Sequence, residues 1–254
     1  MSKSKIWLII EIIAAIVLLI LVGFFIKRKI DDHFYLKEQN VWKENLEKNL
    51  DISKEDNGDW IEERNKLAIQ EVEKIRQDHK SVIGLIEIPG TDVLYPIVQG
   101  EDNWYYLDHD KDGSYHAFGE IFLDSRNNSE FIDQNSVIYG HNIRQAKTLF
   151  NALLKYEDQK FYEEHKIINI YCLKGFKSYE VIQAFHSDPE APYRERSFAS
   201  KEEYISFLNK YNEQSMVQTD FANIQDKENK NLITLSTCFD KKTRMVLQAI
   251  EKSE

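Results

Sequence analysis

Cysteine is nearly absent: of 254 residues only Cys172 and Cys238 carry thiols, and no Cys-x-x-Cys pair occurs. That excludes a disulfide framework and a thiolate zinc site. The 9 Gly and 4 Pro are too few for a collagen-like or low-complexity chain. Cations are the minority charge, 33 Lys and Arg against 43 Asp and Glu, for a net −10. A nucleic-acid binder needs clustered Lys and Arg to displace counterions, so nucleic acid is not an expected partner. There is no internal repeat. With 42% hydrophobic residues the chain is long enough for one sizeable core plus an appendage.

Metal-ligand patterns are missing as well. His33, His79, His109, His116, His165 and His186 show no paired spacing. Asp108-His109-Asp110-Lys111-Asp112-Gly113 resembles the opening of an EF-hand loop. Its bidentate acid would fall on Gly119, with Glu120 one residue late, and no helical pattern flanks it. The stretch reads as a solvated turn, and no metal is expected.

What the chain does have is one intensely apolar run, Ile6 to Ile26, broken only by Glu11, although the mean hydropathy is −0.52. At 1.5 Å per residue it is long enough to cross a hydrocarbon core of about 30 Å. It ends in Gly23-Phe24-Phe25-Ile26 and then Lys27-Arg28-Lys29, without the small-residue pattern of a cleavage site, and so reads as an uncleaved anchor. Lys3 and Lys5 on one side nearly balance Lys27, Arg28 and Lys29 on the other, so flanking charge does not set its orientation. Residues 1–30 sum to +4 and the remainder to −14. An acidic body on a basic stem should stand off an anionic bilayer.

From Asp31 to about Lys80 the period is helical and the composition highly charged. Leu36, Val41, Trp42, Leu46 and Leu50 form one stripe, Asp56-Asn57-Gly58-Asp59 breaks it, and Trp60, Leu67, Val72 and Ile75 carry a second. Two amphipathic helices are expected there. At Val82 the period becomes two: Val82–Ile88 and Val93–Val98 flank Pro89-Gly90-Thr91 as a hairpin. Further strands are expected at Gly119–Leu123, Ser136–Tyr139, Ile167–Leu173, Tyr179–Phe185, Leu232–Thr237 and Arg244–Ile250. Eight short strands with few helices between them suggest a mainly β fold, a closed barrel or a sandwich. Ser200-Lys201-Glu202-Glu203 is a capping box opening a helix with Tyr204, Phe207, Leu208 and Tyr211 as its apolar stripe. Another helix is expected from about Ala146 to Tyr156.

Three chemically capable residues fall at strand ends. Cys238 ends the run from Leu232, Arg244 opens the next strand six residues later, and His141 follows Val137-Ile138-Tyr139-Gly140. Abutting ends of hairpin-paired strands are neighbours, which places a guanidinium beside the thiol. Together the three would make a nucleophile, an oxyanion clamp and a proton donor. Taken singly, each has a plainer reading: a Cys filling a core, an Arg on a solvated edge, a His in a turn. Cys172, in Ile170-Tyr171-Cys172-Leu173, alternates like a strand core residue, and both cysteines are expected as free thiols. Two rival readings are a thiol hydrolase with the same triad and a non-catalytic binding module on a stalk.

Thr234-Leu235-Ser236-Thr237-Cys238 with a downstream Arg, and Tyr139-Gly140-His141-Asn142 upstream, resemble the active-site signature of sortases, the membrane-anchored cysteine transpeptidases of Gram-positive bacteria. The stretches Gly119–Asn127, Asp102–Leu107 and Ile88-Pro89-Gly90-Thr91, and the charged helical segment before them, are similar to class B. The resemblance runs in order from about Val82 to the C-terminus. The interval Phe239-Asp240-Lys241-Lys242-Thr243 is shorter than in class B, and Phe239 stands where some members carry an acid. The C-terminal membrane helix common in class C pilin polymerases has no counterpart in these residues.

The resemblance implies a sortase-like eight-stranded β-barrel over residues 81–254, an N-terminal helical segment over 31–80, and a membrane anchor with basic flanks over 1–30, the barrel lying outside the cytoplasmic membrane. It implies no cofactor. Cys238 would attack the carbonyl of a Thr–Gly-like bond in a C-terminal sorting signal. Arg244 and backbone N–H groups would stabilise the oxyanion, and His141 would protonate the departing amine. An amine, from a peptidoglycan precursor or a pilin lysine, would resolve the thioacyl enzyme. Its partners would then be surface proteins or pilins. Asn103, Leu107 and Ser236 match positions lining the class B groove, and Tyr204 and Ile205 fall on the helix expected to cover it.

Overall fold

The computed structural model describes residues 3–50, 60–240 and 242–252. Its residues group into two units, 1–48 and 49–254. The first is helix α1, Lys3–Asn49. It carries the apolar run, whose large side chains all stand exposed, and it is long and apolar enough to cross a membrane. The first expected amphipathic helix is therefore not separate but the continuation of the apolar one, and the expected boundary at residue 30 falls inside it. No Gly or Pro lies between Phe24 and Asn49, so nothing local ends the hydrogen-bond ladder. The expected break at Asp56-Asn57-Gly58-Asp59 lies outside the described residues.

The second unit opens with α2, Trp60–Asp78. Strands β1 (Val82–Glu87), β2 (Leu94–Val98), β3 (Ile121–Leu123), β4 (Asn135–Tyr139), β7 (Ile167–Cys172), β8 (Gly175–Ser187), β9 (Leu232–Cys238) and β10 (Arg244–Glu251) close a barrel in the order β1-β2-β3-β4-β9-β10-β8-β7. The pairs β2–β3 and β4–β9 are parallel and the others antiparallel. A two-stranded ribbon outside the barrel joins β5 (Asn142–Ile143) to β6 (Thr148–Leu149).

Every residue of β1 is buried, because α2 packs on β1, β7 and β8 and covers one face of the strand. Ala68 and Val72 are fully buried on that helix, and Arg76 Nη1 donates to Val82 O at 2.8 Å. A second apolar cluster lies beneath α4, Lys201–Asn212, where Tyr204, Leu208 and Tyr211 meet Phe185, Val246 and Ile250. Half of the expected capping box forms, with Ser200 Oγ accepting from Glu203 N at 3.2 Å; Glu203 Oε2 reaches past the N-cap and accepts from Ala199 N at 2.7 Å. Area-proportional burial of such side chains, about 1.5–3 kcal/mol each, is what holds α2 and α4 to the sheet.

The eight expected strands are all present within a few residues of their expected limits. The helix expected over Ala146–Tyr156 is not: Thr148–Leu149 is β6, and Phe150–Glu157 is a 3-10 helix. Thr148 and Leu149 pair with Ile143 and Asn142, and Leu149 has φ of 55°, which no helix tolerates. The short α3, Gln159–Glu164, was not legible in the apolar pattern and is started by Asp158, whose side chain accepts from Lys160 N. The Asp108–Gly113 stretch is a turn tied by Asp110 Oδ1, which accepts from Asp112 N and Ser114 N at 2.9 Å each.

Candidate active site

Cys238 ends β9, and its register partner across the hairpin is Arg244, the first residue of β10. Phe239 N–H donates to Thr243 O at 3.0 Å, making the next pair in toward the turn the hydrogen-bonded one. Antiparallel pairs alternate, so Cys238 and Arg244 form a non-hydrogen-bonded pair, the kind whose side chains lie closest, on one face. Asp240 closes the short turn: its Oδ1 accepts from Lys242 N at 2.7 Å and from Thr243 N at 2.8 Å.

His141 comes from the other side. Beside β9 runs β4, Tyr139 opposite Ser236, and the chain leaves the sheet at Gly140. A Cβ at Gly140 would lie 2.7 Å from Phe150 Cδ2, so only glycine fits there. The exit turns His141 toward Leu107, whose carbonyl lies 2.8 Å from Nε2. A carbonyl only accepts, so Nε2 carries a proton, and Nδ1 is the nitrogen able to exchange one.

Cys238, Arg244 and His141 line one cleft of about 420 Å³, with Asn103, Leu107 and Ser236 also in its wall. Ser236 is buried, and its Oγ lies 3.0 Å from Tyr193 Oη. Asn103 is tied into the wall: Nδ2 donates to Asp124 Oδ2 at 3.0 Å, and Oδ1 accepts from Ser125 N at 2.8 Å. Tyr204 and Ile205 are not in this cleft. Tyr204 is packed in the cluster beneath α4 with its hydroxyl donating to Lys230 O, and Ile205 lines a separate groove with Lys201 and Asn209.

Several other wall residues were not expected as site residues, among them Trp104, Tyr139, Tyr193 and Arg194. Tyr193 and Arg194, in the 3-10 turn after β8, sit in no periodic pattern and reach the cleft only through the folded chain, whereas Trp104, exposed at the rim, lies inside the recognised Asp102–Leu107 stretch. Tyr139 lies inside a recognised motif, and its hydroxyl donates to Asp124 Oδ2 at 3.0 Å. Asp124 is buried, which opposes its ionisation. The Arg126 guanidinium and N–H and the Tyr139 hydroxyl outweigh that and hold its carboxyl at about 2. The same burial and the Asp124 charge push the Tyr139 phenol well above its ordinary value. Both cysteines are free, Cys172 buried in β7 and Cys238 half-buried. Among the described residues no group of three His, Cys, Asp or Glu could hold a metal ion.

A thiol, an imidazole and a guanidinium sharing a cleft at the ends of barrel strands can support covalent acyl transfer. The sortase domain model matches residues 86–251. Sortase B of Staphylococcus aureus (strain NCTC 8325) is 32% identical over 66% of this chain and 67% of its own length, and sortase B of Listeria monocytogenes is 33% identical over 70% and 72%. A structure of S. aureus sortase B in complex with substrate superposes with a TM-score of 0.72, at 26% identity, covering 85% of this chain and 98% of that one. The chain belongs to the sortase family. It is a class B sortase, a cysteine transpeptidase, and as such acts on proteins with a sorting signal and on an amine acceptor.

Proposed function

We propose that Cys238, His141 and Arg244 carry the transpeptidation, a reading supported above all by the Cys238–Arg244 register pair in a cleft shared with His141. The Cys238 thiolate adds to the carbonyl carbon of the scissile Thr–Gly-like bond. The electron pair moves to oxygen, where the Arg244 guanidinium stabilises it. Collapse breaks the C–N bond as His141 gives its proton to the departing amine, leaving a thioester on Cys238. An incoming amine then attacks the thioester, His141 accepts its proton, and Cys238 departs as thiolate. Phe239 N–H, the main-chain donor that follows the nucleophile, is engaged by Thr243 O, so the guanidinium carries more of the oxyanion than in the expectation that shared it with backbone N–H groups.

Asn103, Leu107 and Ser236 form the substrate wall of this reading. The apolar length of α1 supports a single-pass anchor; membership of the sortase family is what supports placing the barrel on the extracytoplasmic side, where surface proteins and peptidoglycan precursors are available. A peptidoglycan cross-bridge is the acceptor proposed; a pilin lysine is the alternative amine. The test uses the full chain in detergent with a peptide containing a Thr–Gly bond. Mass spectrometry should find a thioester on Cys238 that disappears when a cross-bridge amine is added, with a new amide product. Release of acid at one rate with and without amine would make it a hydrolase instead, and a Cys238→Ala chain that still forms adduct would overturn the assignment.

A further inference from the structure

The parallel ladder between β4 and β9 ends one step short of the nucleophile. Its register runs from Asn135 opposite Leu232 to Tyr139 opposite Ser236, and beyond it Gly140 N–H donates to Ser236 O at 3.2 Å. A ladder advances by two residues on each strand, so the next donor would be Asn142 N–H and the next acceptor Cys238 O. By Asn142 the main chain has left the barrel and pairs with β6. The acceptor is met by the side chain of the same residue: Asn142 Nδ2 donates to Cys238 O at 3.0 Å.

That amide has only one workable orientation. Asn151 Nδ2 donates to Asn142 Oδ1 at 2.6 Å, so the nitrogen end must face the Cys238 carbonyl. Two residues on, Arg144 Nη2 donates to the carbonyl of Phe239, and the Arg144 guanidinium lies over the Phe239 ring. Two carbonyls in succession, that of the nucleophile and that of its neighbour, are thus held from the segment that immediately follows His141. His141 itself is gripped through its own carbonyl, which accepts from Phe150 N at 3.0 Å.

We propose that Asn142 is a positioning residue that sets the separation of the His141 imidazole from Cys238 by gripping the nucleophile's own carbonyl in place of the lost ladder bond. The reason is geometric. The strand must peel away for His141 to turn into the cleft, and peeling away removes the main-chain bond that would have fixed β4 against Cys238. The side-chain amide restores it without undoing the turn. Asn142 contacts neither substrate nor the reacting sulfur in this scheme; it acts through the two residues it ties. The inference rests on His141 as the proton donor.

The test separates proton delivery from nucleophilic attack. Two substrates are compared on the full chain: a peptide with a Thr–Gly amide, and the same acyl segment as a nitrophenyl ester, whose leaving group departs without a proton. Displacing an acid by about 1 Å costs up to about a hundredfold. Asn142→Ala and the isosteric Asn142→Asp, which cannot donate, should therefore lower acylation by the amide about ten- to a hundredfold while the ester changes by no more than about threefold. KM for the amide should stay near wild type, because the wall residues are untouched. Asn151→Ala, which keeps Asn142 but frees its amide, should shift the same ratio in the same direction by less, and keeps the test available if an Asn142 variant does not fold. His141→Ala is the control. If it spares the ester and Asn142 variants do not, or if they leave both substrates unchanged, the positioning role is wrong. If His141→Ala does not spare the ester, the proton-donor reading falls, and this inference with it.

Discussion

Arg244 faces Cys238 across the β9–β10 hairpin with no hydrogen bond between their main chains, and the turn between them uses up the Phe239 N–H. On the proposed mechanism, the oxyanion formed at Cys238 would then lean chiefly on the guanidinium. Arg244→Ala should lower kcat/KM about 10²–10³-fold, the usual cost of one oxyanion donor. Arg244→Lys should recover only part of that, since an ammonium lacks the planar fork. The measurement is thioester accumulation by mass spectrometry. An Arg244→Ala chain within about threefold of wild type would remove Arg244 from the mechanism.

The strand-end placement of these residues was legible in the sequence because a hairpin makes sequence neighbours spatial neighbours. Leu232–Thr237 and Arg244–Ile250 alternate at period two, and a short polar interval between them leaves little choice but a hairpin. What could not be read was anything set by contacts distant along the chain. The apolar spacing of Ala146–Tyr156 suits a helix, yet pairing of Thr148–Leu149 with Asn142–Ile143 overrides it. Tyr193 enters the cleft from a loop after β8, held to Ser236 by a bond no local pattern announces. Likewise Tyr204 satisfies its helical stripe by packing inward, on the side of α4 that the stripe itself marks as core.

Asp124 ties Asn103 and Tyr139 into the cleft wall while paired with Arg126 at 2.9 Å. Asp124→Asn loses the charge that organises these donors. The cost should be about 1–3 kcal/mol, limited because the Arg126 side chain is 55% exposed and stays hydrated. KM for the sorting peptide should rise several-fold with kcat nearly unchanged. Because the folded carboxyl lies at about 2 against an ordinary 3.8, its contribution is complete above about pH 4 and is lost as pH falls toward 2. An unchanged KM would mean the wall does not shape substrate binding.

Gly140→Ala should damage activity more than stability. The added methyl would meet Phe150 Cδ2 at 2.7 Å and Ile121 Cγ1 at 3.1 Å, and both neighbours are fully buried and unable to give way. Overpacking of this kind costs about 1–3 kcal/mol. The strain lies one residue before His141, so its relief must move the imidazole. Comparing Tm with kcat/KM for the variant checks this: a loss of stability with full activity would show that the strain is absorbed on the β4 side.

Glu120 is fully buried beside β3, with Oε1 accepting from Lys111 N at 3.1 Å and Oε2 without a hydrogen-bond partner among the described residues. Burial pushes its carboxyl up to about 8. The Lys111 N–H and ammonium resist the shift, and Asp110 and Asp112 reinforce it. Between the ordinary 4.5 and about 8 the unfolded chain has released this proton and the folded chain retains it. The unfolded state binds fewer protons there, so folding stability falls as pH rises, by up to about 1.4 kcal/mol per unit from this one group, and levels off above about pH 8. Glu120→Gln keeps the shape and removes the titration. Denaturation midpoints should therefore be similar for variant and wild type near pH 4 and diverge toward pH 8, with the variant the more stable. Parallel pH profiles for the two chains would show that the carboxyl at this position does not change its protonation between the folded and unfolded states.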